Sequence, residues 1–492
     1  MKTLRYSLLA LLAAILTACD SYLDVKPYDA IGEGELFSSE QGFRKLLNGV
    51  YIDLNDDALY GRSLTVEMLE VMANDCNVGT NTDTWGEYVN LYNHEYTSTY
   101  WHGRFDNVWD KAYALVMNCN KILDNIDARR DLFSDTHYRM IKGEALALRA
   151  YLHFDMLRLF GPVYQRDSTA TAIPYRLHQS LSADAPLPAD SVVRLVIADL
   201  NAAHALLADA DPILTAGTQM SADPSGDNFE RYRPLRFNYY AVEALLARVW
   251  QWRSGASGDA AAGQAYAWAK GVIDRAGSLF PFVSKDVVLG QPANPDRVFS
   301  SEVIFGLTNP QRGQLFKKNY DPALLPNPVF CPDSVIFNEY MFGNVSPTLT
   351  YGGSKDDYRY IAQWKTVGST PYFYKYQDLS NTGLVLNTIV PMLRLGELYL
   401  IAAETAPTET ERYAYLNALR THRGLTAVSS RLEATTKYEF VRELYGEGQI
   451  FYYYKRQYMR ILRTIDDNGN GVQVQPSEKV YVVPLPDTEV NN

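Results

Sequence analysis

The chain has 492 residues, 47% of them apolar and 21% charged, with a formal net charge of −11. That is the composition of an ordinary globular protein long enough to bury a large core, and its acidity excludes a nucleic-acid binder, which needs a basic surface to meet phosphates. Aromatic residues are plentiful, with 36 tyrosines, 19 phenylalanines and 7 tryptophans.

The N-terminus reads first as a signal. Lys2 and Arg5 precede an apolar run from Leu8 to Leu16, too short to span a bilayer. Leu16-Thr17-Ala18-Cys19 then has the form of a lipobox, followed by polar Asp20-Ser21. Residues 1–18 are therefore expected to be removed and Cys19 to be acylated, tethering the protein to a membrane through lipid. Removal of Lys2 and Arg5 would move the net charge from −11 to −13. With Cys19 lipidated, Cys76, Cys119 and Cys331 remain, an odd number without Cys-x-x-Cys spacing, so neither a disulfide framework nor a zinc site is expected. Cys119 falls in a helical pattern and reads as a small core residue.

Further along, residues 85–109 are dense in aromatics. Tyr88, Tyr92, Tyr96 and Tyr100 recur every four residues, the spacing of a helical stripe, whereas Trp85 and Trp101 sit beside polar loop residues. Residues 108–123 have helical period, as do Lys142 to Phe160, which Gly161-Pro162 stops. A helix from Val192 to Leu207 is expected to be capped by Asp190 or Ser191. Tyr239 to Trp252 and Ala260 to Ala276 form a helix pair around Ser254–Gly258, with small residues where tetratricopeptide-type helices cross. Leu393 to Ala406, Glu409 to Arg423 and a segment opening at Thr436 complete the helical set. Between them, residues 208–237 and 281–392 lack sustained period and are rich in Pro, Gly, Asn and Tyr. Loops so long are usually functional or disordered, and the aromatic content argues against disorder. The expected fold is thus mainly α, built of tetratricopeptide-like hairpins with long, irregular, aromatic-rich loops. Residues 19–235 and 236–492 would be its two parts, joined as one unit.

Catalytic motifs are missing. His94-Glu95 lacks the second histidine of a zinc protease, there is no Walker A or Gly-x-Ser-x-Gly sequence, and Asp356-Asp357 reads as a solvated acidic loop. Asp466, Asn468, Asn470 and Gly471 match the opening of a calcium loop, but position 12 is Ser477 and the following residues look extended. An exposed Asn-Gly turn is the better reading, and no other cofactor is indicated. The best binding candidates are Trp85, Trp101, Tyr351, Tyr358 and Trp364, since aromatic faces stack on sugar rings or peptide side chains. For any single ring, a place in the core is the competing expectation.

Four blocks in order resemble the SusD/RagB lipoproteins. They are Cys19-Asp20-Ser21-Tyr22-Leu23-Asp24-Val25-Lys26-Pro27, Glu144 to Pro162 with its Leu-Arg-Ala-Tyr centre, Arg394 to Glu404, and Pro484-Leu485-Pro486-Asp487-Thr488-Glu489. One block departs: Glu447-Gly448 is followed by Gln449-Ile450-Phe451 where the family often has an arginine and then an Asp-Leu pair. The resemblance implies a surface lipoprotein of the outer membrane that captures oligosaccharides, or in some cases peptides, and passes them to a SusC-like TonB-dependent barrel without altering them. It carries over the lipidated Cys19 and no ligand contact. A surface glycan-degrading enzyme and a helical-repeat envelope scaffold are the rival readings.

Overall fold

The computed structural model describes residues 32–79, 82–180, 184–255, 259–290, 293–343, 353–465 and 471–490. The signal segment and Cys19 lie outside these residues, as do Tyr351 and the calcium candidates Asp466, Asn468 and Asn470.

Long helices form where apolar period and a capping residue coincide. Helix α1 (Glu40–Asp53) is capped by Ser39, α2 (Thr99–Ile126) by Ser98 and α3 (Asp135–Phe160) by Ser134, each serine oxygen accepting from a backbone N–H of the first turn. Helix α4 (Ala189–Leu207) follows Pro188, and this corrects the expected cap: Asp190 and Ser191 lie inside its first turn, where an acidic side chain suits the helix dipole. Asn238 caps α5 (Tyr239–Arg253) and Asp259 caps α6 (Ala260–Ala276). Strand β1 (Val303–Thr308) precedes a hairpin of β2 (Trp364–Val367) and β3 (Thr370–Phe373), and β1 pairs antiparallel with β4 (Ile389–Arg394). The helix expected from Leu393 therefore starts later, as α7 (Leu395–Thr405), after the buried strand Ile-Val-Pro-Met-Leu-Arg. Helix α8 (Glu409–His422) opens with a capping box of Thr408 and Glu411. Helix α9 (Leu432–Leu444) starts a turn earlier than its sequence signal, and α10 (Ile450–Gln457) follows. The antiparallel hairpin β5 (Ile461–Ile465) and β6 (Gly471–Val474) comes next, followed by two single-turn helices at Glu478–Tyr481 and Asp487–Val490.

Helices α1 to α8 pack serially, each against the next, so the chain lays down a row of hairpins. Helix α3 sits at the centre of the N-terminal half and is buried on nearly every side from Met140 to Phe160. One contiguous apolar core runs from Phe37 to Val483. Cys76, Cys119 and Cys331 are buried and unpaired, and burial pushes the Cys119 thiol up to about 12. Among the described residues no helix is long and apolar enough to cross a membrane.

Charge ties the irregular 281–392 segment to this row. Arg359 donates to Asp357, Glu439 and Glu443, while Arg394 bonds Glu443 and Glu447. Arg423 bonds Glu302 and Glu443, and Lys375 bonds Glu447. Every one of these side chains is at most 4% exposed. The Asp356-Asp357 reading is corrected in part: Asp356 is exposed, but Asp357 is a fully buried partner of Arg359. Desolvating so many charges roughly cancels their attraction, so the network selects one arrangement of the loops more than it adds stability.

Candidate functional site

The predicted rings do not converge. Trp101 is wholly enclosed in the first turn of α2, its indole N–H donating to the Glu87 carbonyl at 2.6 Å. Trp364 is 5% exposed at the start of β2, between Phe337, Phe373 and Tyr445 with ring centroids 4.7–4.9 Å away. Both are core residues, because the polar neighbours that suggested exposure belong to a helix cap and a strand edge that pack their rings inward. Tyr358 is half-buried over Gly424, beside the small cluster of Val283, Val288 and Phe299. Trp85 is half-buried and stacks on Phe330 at 6.3 Å. The stripe of four tyrosines is also interrupted: a short helix ends at Tyr92, His94 turns with φ 58°, and α2 starts at Thr99.

What the fold does bring together is a cleft in two parts at the end of α1. The larger part is about 520 Å³. Its apolar floor is Leu307 and Leu235, its rim Ile52, Leu384 and Val385, and Ile52 is 69% exposed. Tyr232 offers a half-buried ring from a left-handed backbone with φ 51°, a conformation that costs a bulky residue about 1–3 kcal/mol and tends to mark functional positions. Asn48, Asn228 and Arg231 supply polar groups around it. Arg236 is fixed beneath: it donates to Asn48 at 2.7 Å and to Glu144 at 2.9 Å, and lies over the Tyr51 ring at 4.7 Å. Burial would raise the Glu144 carboxyl, but the Arg236 and Arg233 guanidinium groups outweigh it and hold Glu144 below its ordinary value. Burial and the Glu144 charge push the Tyr51 hydroxyl well up, so it stays a neutral donor.

The smaller part is about 280 Å³ and polar. Asn55, Arg62, Gln311, Gln314, Lys318 and Asn319 line it. Arg62 is aimed by three bonds, to Asn319 at 3.1 Å, to Glu67 at 3.1 Å and to the Tyr88 hydroxyl at 3.3 Å. Burial and the Glu67 charge push the Tyr88 hydroxyl up. Tyr88 touches Phe330 at 5.2 Å, the ring on which Trp85 stacks, so Trp85 stands one ring behind this wall. A ridge divides the two parts: Asn55 donates from the end of α1 to the Thr308 carbonyl at the end of β1, 3.2 Å away.

Amides that both donate and accept, and guanidinium groups that donate, around an apolar floor match the hydroxyls and ring faces of a sugar. Asp57, paired with Lys318 at 3.1 Å, is the sole carboxylate among the described lining residues. Glycoside hydrolysis uses two. Among the described residues no three His, Cys, Asp or Glu side chains group as a metal site. The β5–β6 hairpin replaces the helix that would leave a calcium loop. The sequence did flag both loops that build the cleft, 208–237 and 281–392, but its search for exposed rings in two aromatic-dense stretches passed over Asn55, Arg62, Tyr232, Gln311 and Gln314. The available signals were the Asn-Asp-Asp run at residues 55–57 and the Arg-Tyr-Arg-Pro turn at 231–234.

Residues 21–223 match a SusD-like family described as starch-binding and associating with the outer membrane. A SusD-like protein P2 of Formosa agariphila is 22% identical over 209 residues, which is 42% of this chain and 39% of that protein's length. Two solved structures share the fold: a SusD-like carbohydrate binding protein of Bacteroides vulgatus (TM-score 0.68, 18% identity, 92% of this chain and 96% of that one) and a SusD superfamily protein of Bacteroides thetaiotaomicron (TM-score 0.63, 19% identity, 92% and 98%).

Proposed function

The chain is SusD-like in sequence over residues 21–223 and in fold along its length, and on that premise we propose that it captures oligosaccharides at the outer membrane for uptake. In this reading Cys19 carries the lipid anchor, the protein faces the cell exterior, and it delivers its ligand to a SusC-like TonB-dependent barrel. The carrying observation is the two-part cleft, which joins amides, Arg62, Arg231 and the Tyr232 ring on one surface. Its single lining carboxylate among the described residues favours binding and release over hydrolysis. Peptides are the alternative cargo.

The test is calorimetric titration of the purified soluble chain with a panel of oligosaccharides and peptides, repeated with Tyr232→Ala and Gln314→Ala. Saturable binding of one glycan class, weakened at least tenfold in both variants at unchanged melting temperature, supports the cleft. Binding that ignores both substitutions moves the site elsewhere. Recovery from native membranes in mild detergent without a large barrel, under conditions that keep other envelope complexes intact, removes the delivery step. Unchanged membrane attachment in Cys19→Ala removes the lipid anchor.

A further inference from the structure

His137, in the first turn of α3, stands between carboxylates from two other elements. Its Nδ1 lies 2.9 Å from Glu40 Oε1 at the start of α1, and its Nε2 lies 2.9 Å from Glu230 Oε1 in the 208–237 loop. Arg44 is the neighbouring cation: it pairs with Glu40, donates to Asp227 at 3.0 Å and places Nη2 2.9 Å from Nδ1. Phe229 packs edge-on against the imidazole at 5.4 Å, covered by the Arg44 guanidinium at 4.2 Å. These contacts tie the loop to α1 and α3, and the same stretch of loop carries Asn228, Arg231 and Tyr232 to the wall of the larger cleft.

A neutral imidazole cannot satisfy both carboxylates. It has one N–H and one lone pair, so one nitrogen donates and the other turns its lone pair outward. Its best arrangement gives Nε2–H to Glu230 and lets Nδ1 accept from Arg44, which leaves a Glu40 oxygen facing a lone pair at 2.9 Å. The imidazolium donates to both carboxylates. Charge favours it too: Glu40, Asp227 and Glu230 surround the ring against one guanidinium among the described residues, that of Arg44, while Asp223 and Arg231, which line the gap beside it, balance each other. Asp135 in the same turn is taken by Arg130 and Arg139. Arg44 and the positive end of α3 work against the proton, so Glu40 and Glu230 are the groups that hold it. Glu40 is fixed in α1, whereas Glu230 is 49% exposed on a loop that leaves a gap of about 370 Å³ lined by His137, Asp223, Asp227 and Glu230. Only a seated loop brings Glu230 to Nε2, so a proton on the ring and a seated loop favour each other.

We propose that His137 is a proton-controlled positioning residue for the cleft: the ionised ring latches the loop through Glu230 and seats Arg231 and Tyr232, and the latch releases when the proton leaves. Phe229 and the Arg44–Asp227 pair hold the loop independently of this proton, so the loop loosens without unfolding. The consequence for binding rests on the cleft being the ligand site. Under that reading affinity falls from mildly acidic to mildly alkaline pH, across the range in which histidines change charge.

The latch is read without ligand, by hydrogen exchange of the purified soluble chain at about pH 5.5 and about pH 8, with labelling times scaled for the intrinsic rate. Peptides covering residues 219–232 should open about threefold more readily at the higher pH, the size of effect that a partly exposed ion pair gives. The difference should vanish in His137→Gln and in Glu230→Gln, each of which removes the switched contact and spares Asp227 and Phe229. Equal opening at both pH values would overturn the proposal, as would a difference that survives in His137→Gln. If that change in α3 prevents folding, Glu230→Gln on the exposed loop decides in its place by the same criterion. In a second arm, the glycan bound most tightly in the calorimetric panel is titrated at the same two pH values. Affinity about threefold weaker at the higher pH, with no such change in His137→Gln, supports the coupling to the cleft, and affinity independent of pH overturns it. If no member of the panel binds, the cleft reading fails instead, and the exchange measurement alone decides the latch.

Discussion

Replacing Glu443 by glutamine tests whether the buried charges hold the loops in place. One Glu443 oxygen accepts from Arg394 Nη1 at 2.6 Å and Arg423 Nη2 at 2.5 Å; the other accepts from Arg359 Nη1 and Arg423 Nε, both at 2.9 Å. Burial alone would raise this carboxyl, but Arg423, Arg394 and Arg359 hold it well below the usual range, so it is ionised wherever the protein is folded at neutral pH. The amide of glutamine turns one acceptor into a donor facing an arginine. Breaking a buried pair on one side costs about 3–5 kcal/mol. The lower end applies, because each arginine keeps another carboxylate: Glu302 for Arg423, Glu447 for Arg394, and Asp357 with Glu439 for Arg359. Urea unfolding at pH 7 should therefore show a loss of about 3 kcal/mol through a lower midpoint at unchanged slope. Urea is chosen because guanidinium chloride would screen the charges under test. Gly396→Ala strikes the same atom by another route, since its Cβ would lie 2.3 Å from Glu443 Oε1. The two losses should fall short of additive. A loss below about 1 kcal/mol in Glu443→Gln, or full additivity, would refute the view that these side chains act as one unit.

Trp101→Ala should cost about 3–5 kcal/mol in urea unfolding while leaving oligosaccharide affinity within twofold, as for a core ring; a selective loss of affinity would return it to the binding surface. Gly448→Ala should cost about 3 kcal/mol, because φ there is +67° and a Cβ would lie 2.0 Å from the Leu64 carbonyl oxygen; a neutral result would mean that the turn relaxes. Stability should peak near pH 6.5. Below it, burial holds His94 at about 4 and His153 at about 3, so the unfolded chain takes up protons first and each histidine removes stability as pH falls from 6.5 towards those values. Above it, burial raises Glu70 to about 8, so the folded state holds a proton that the unfolded chain has released, and stability falls as pH rises towards 8. Glu70→Gln should flatten the alkaline side of the urea-midpoint profile and steepen the acid side between about 4.5 and 6.5, because the proton held by Glu70 in the folded state opposes the histidine effect over that range.

Helices α5 and α6 were legible because apolar period, a polar cap and a small-residue turn all agree in one window of sequence. Strand β4 was not: Ile389-Val390-Pro391-Met392-Leu393-Arg394 is apolar throughout and runs into α7 without a break in pattern, so period cannot separate strand from helix there. Single rings were the weakest reading. Trp101 and Trp364 stand among polar residues, but Ser98 and Glu87 are polar because they satisfy the start of α2, and that says nothing of where the indole points. Asp357 looked solvated because its partners Glu439 and Glu443, joined to it through Arg359, are some eighty residues away. The cleft was hidden for the same reason. Asn55 and Thr308 meet only after the hairpin row has closed, while the loops that carry its other walls announced themselves by length and composition alone.

The ridge between Asn55 and Thr308 has a consequence for how ligand length translates into affinity. A ligand short enough to rest on one side meets either the apolar floor or the amide wall. One that crosses the ridge engages both, and once its first end is seated the second faces its partners at an effective concentration in the millimolar range. Under the proposed function, affinity should therefore climb steeply when the chain first becomes long enough to straddle Asn55, then level off, because further units extend past Lys318 into solvent.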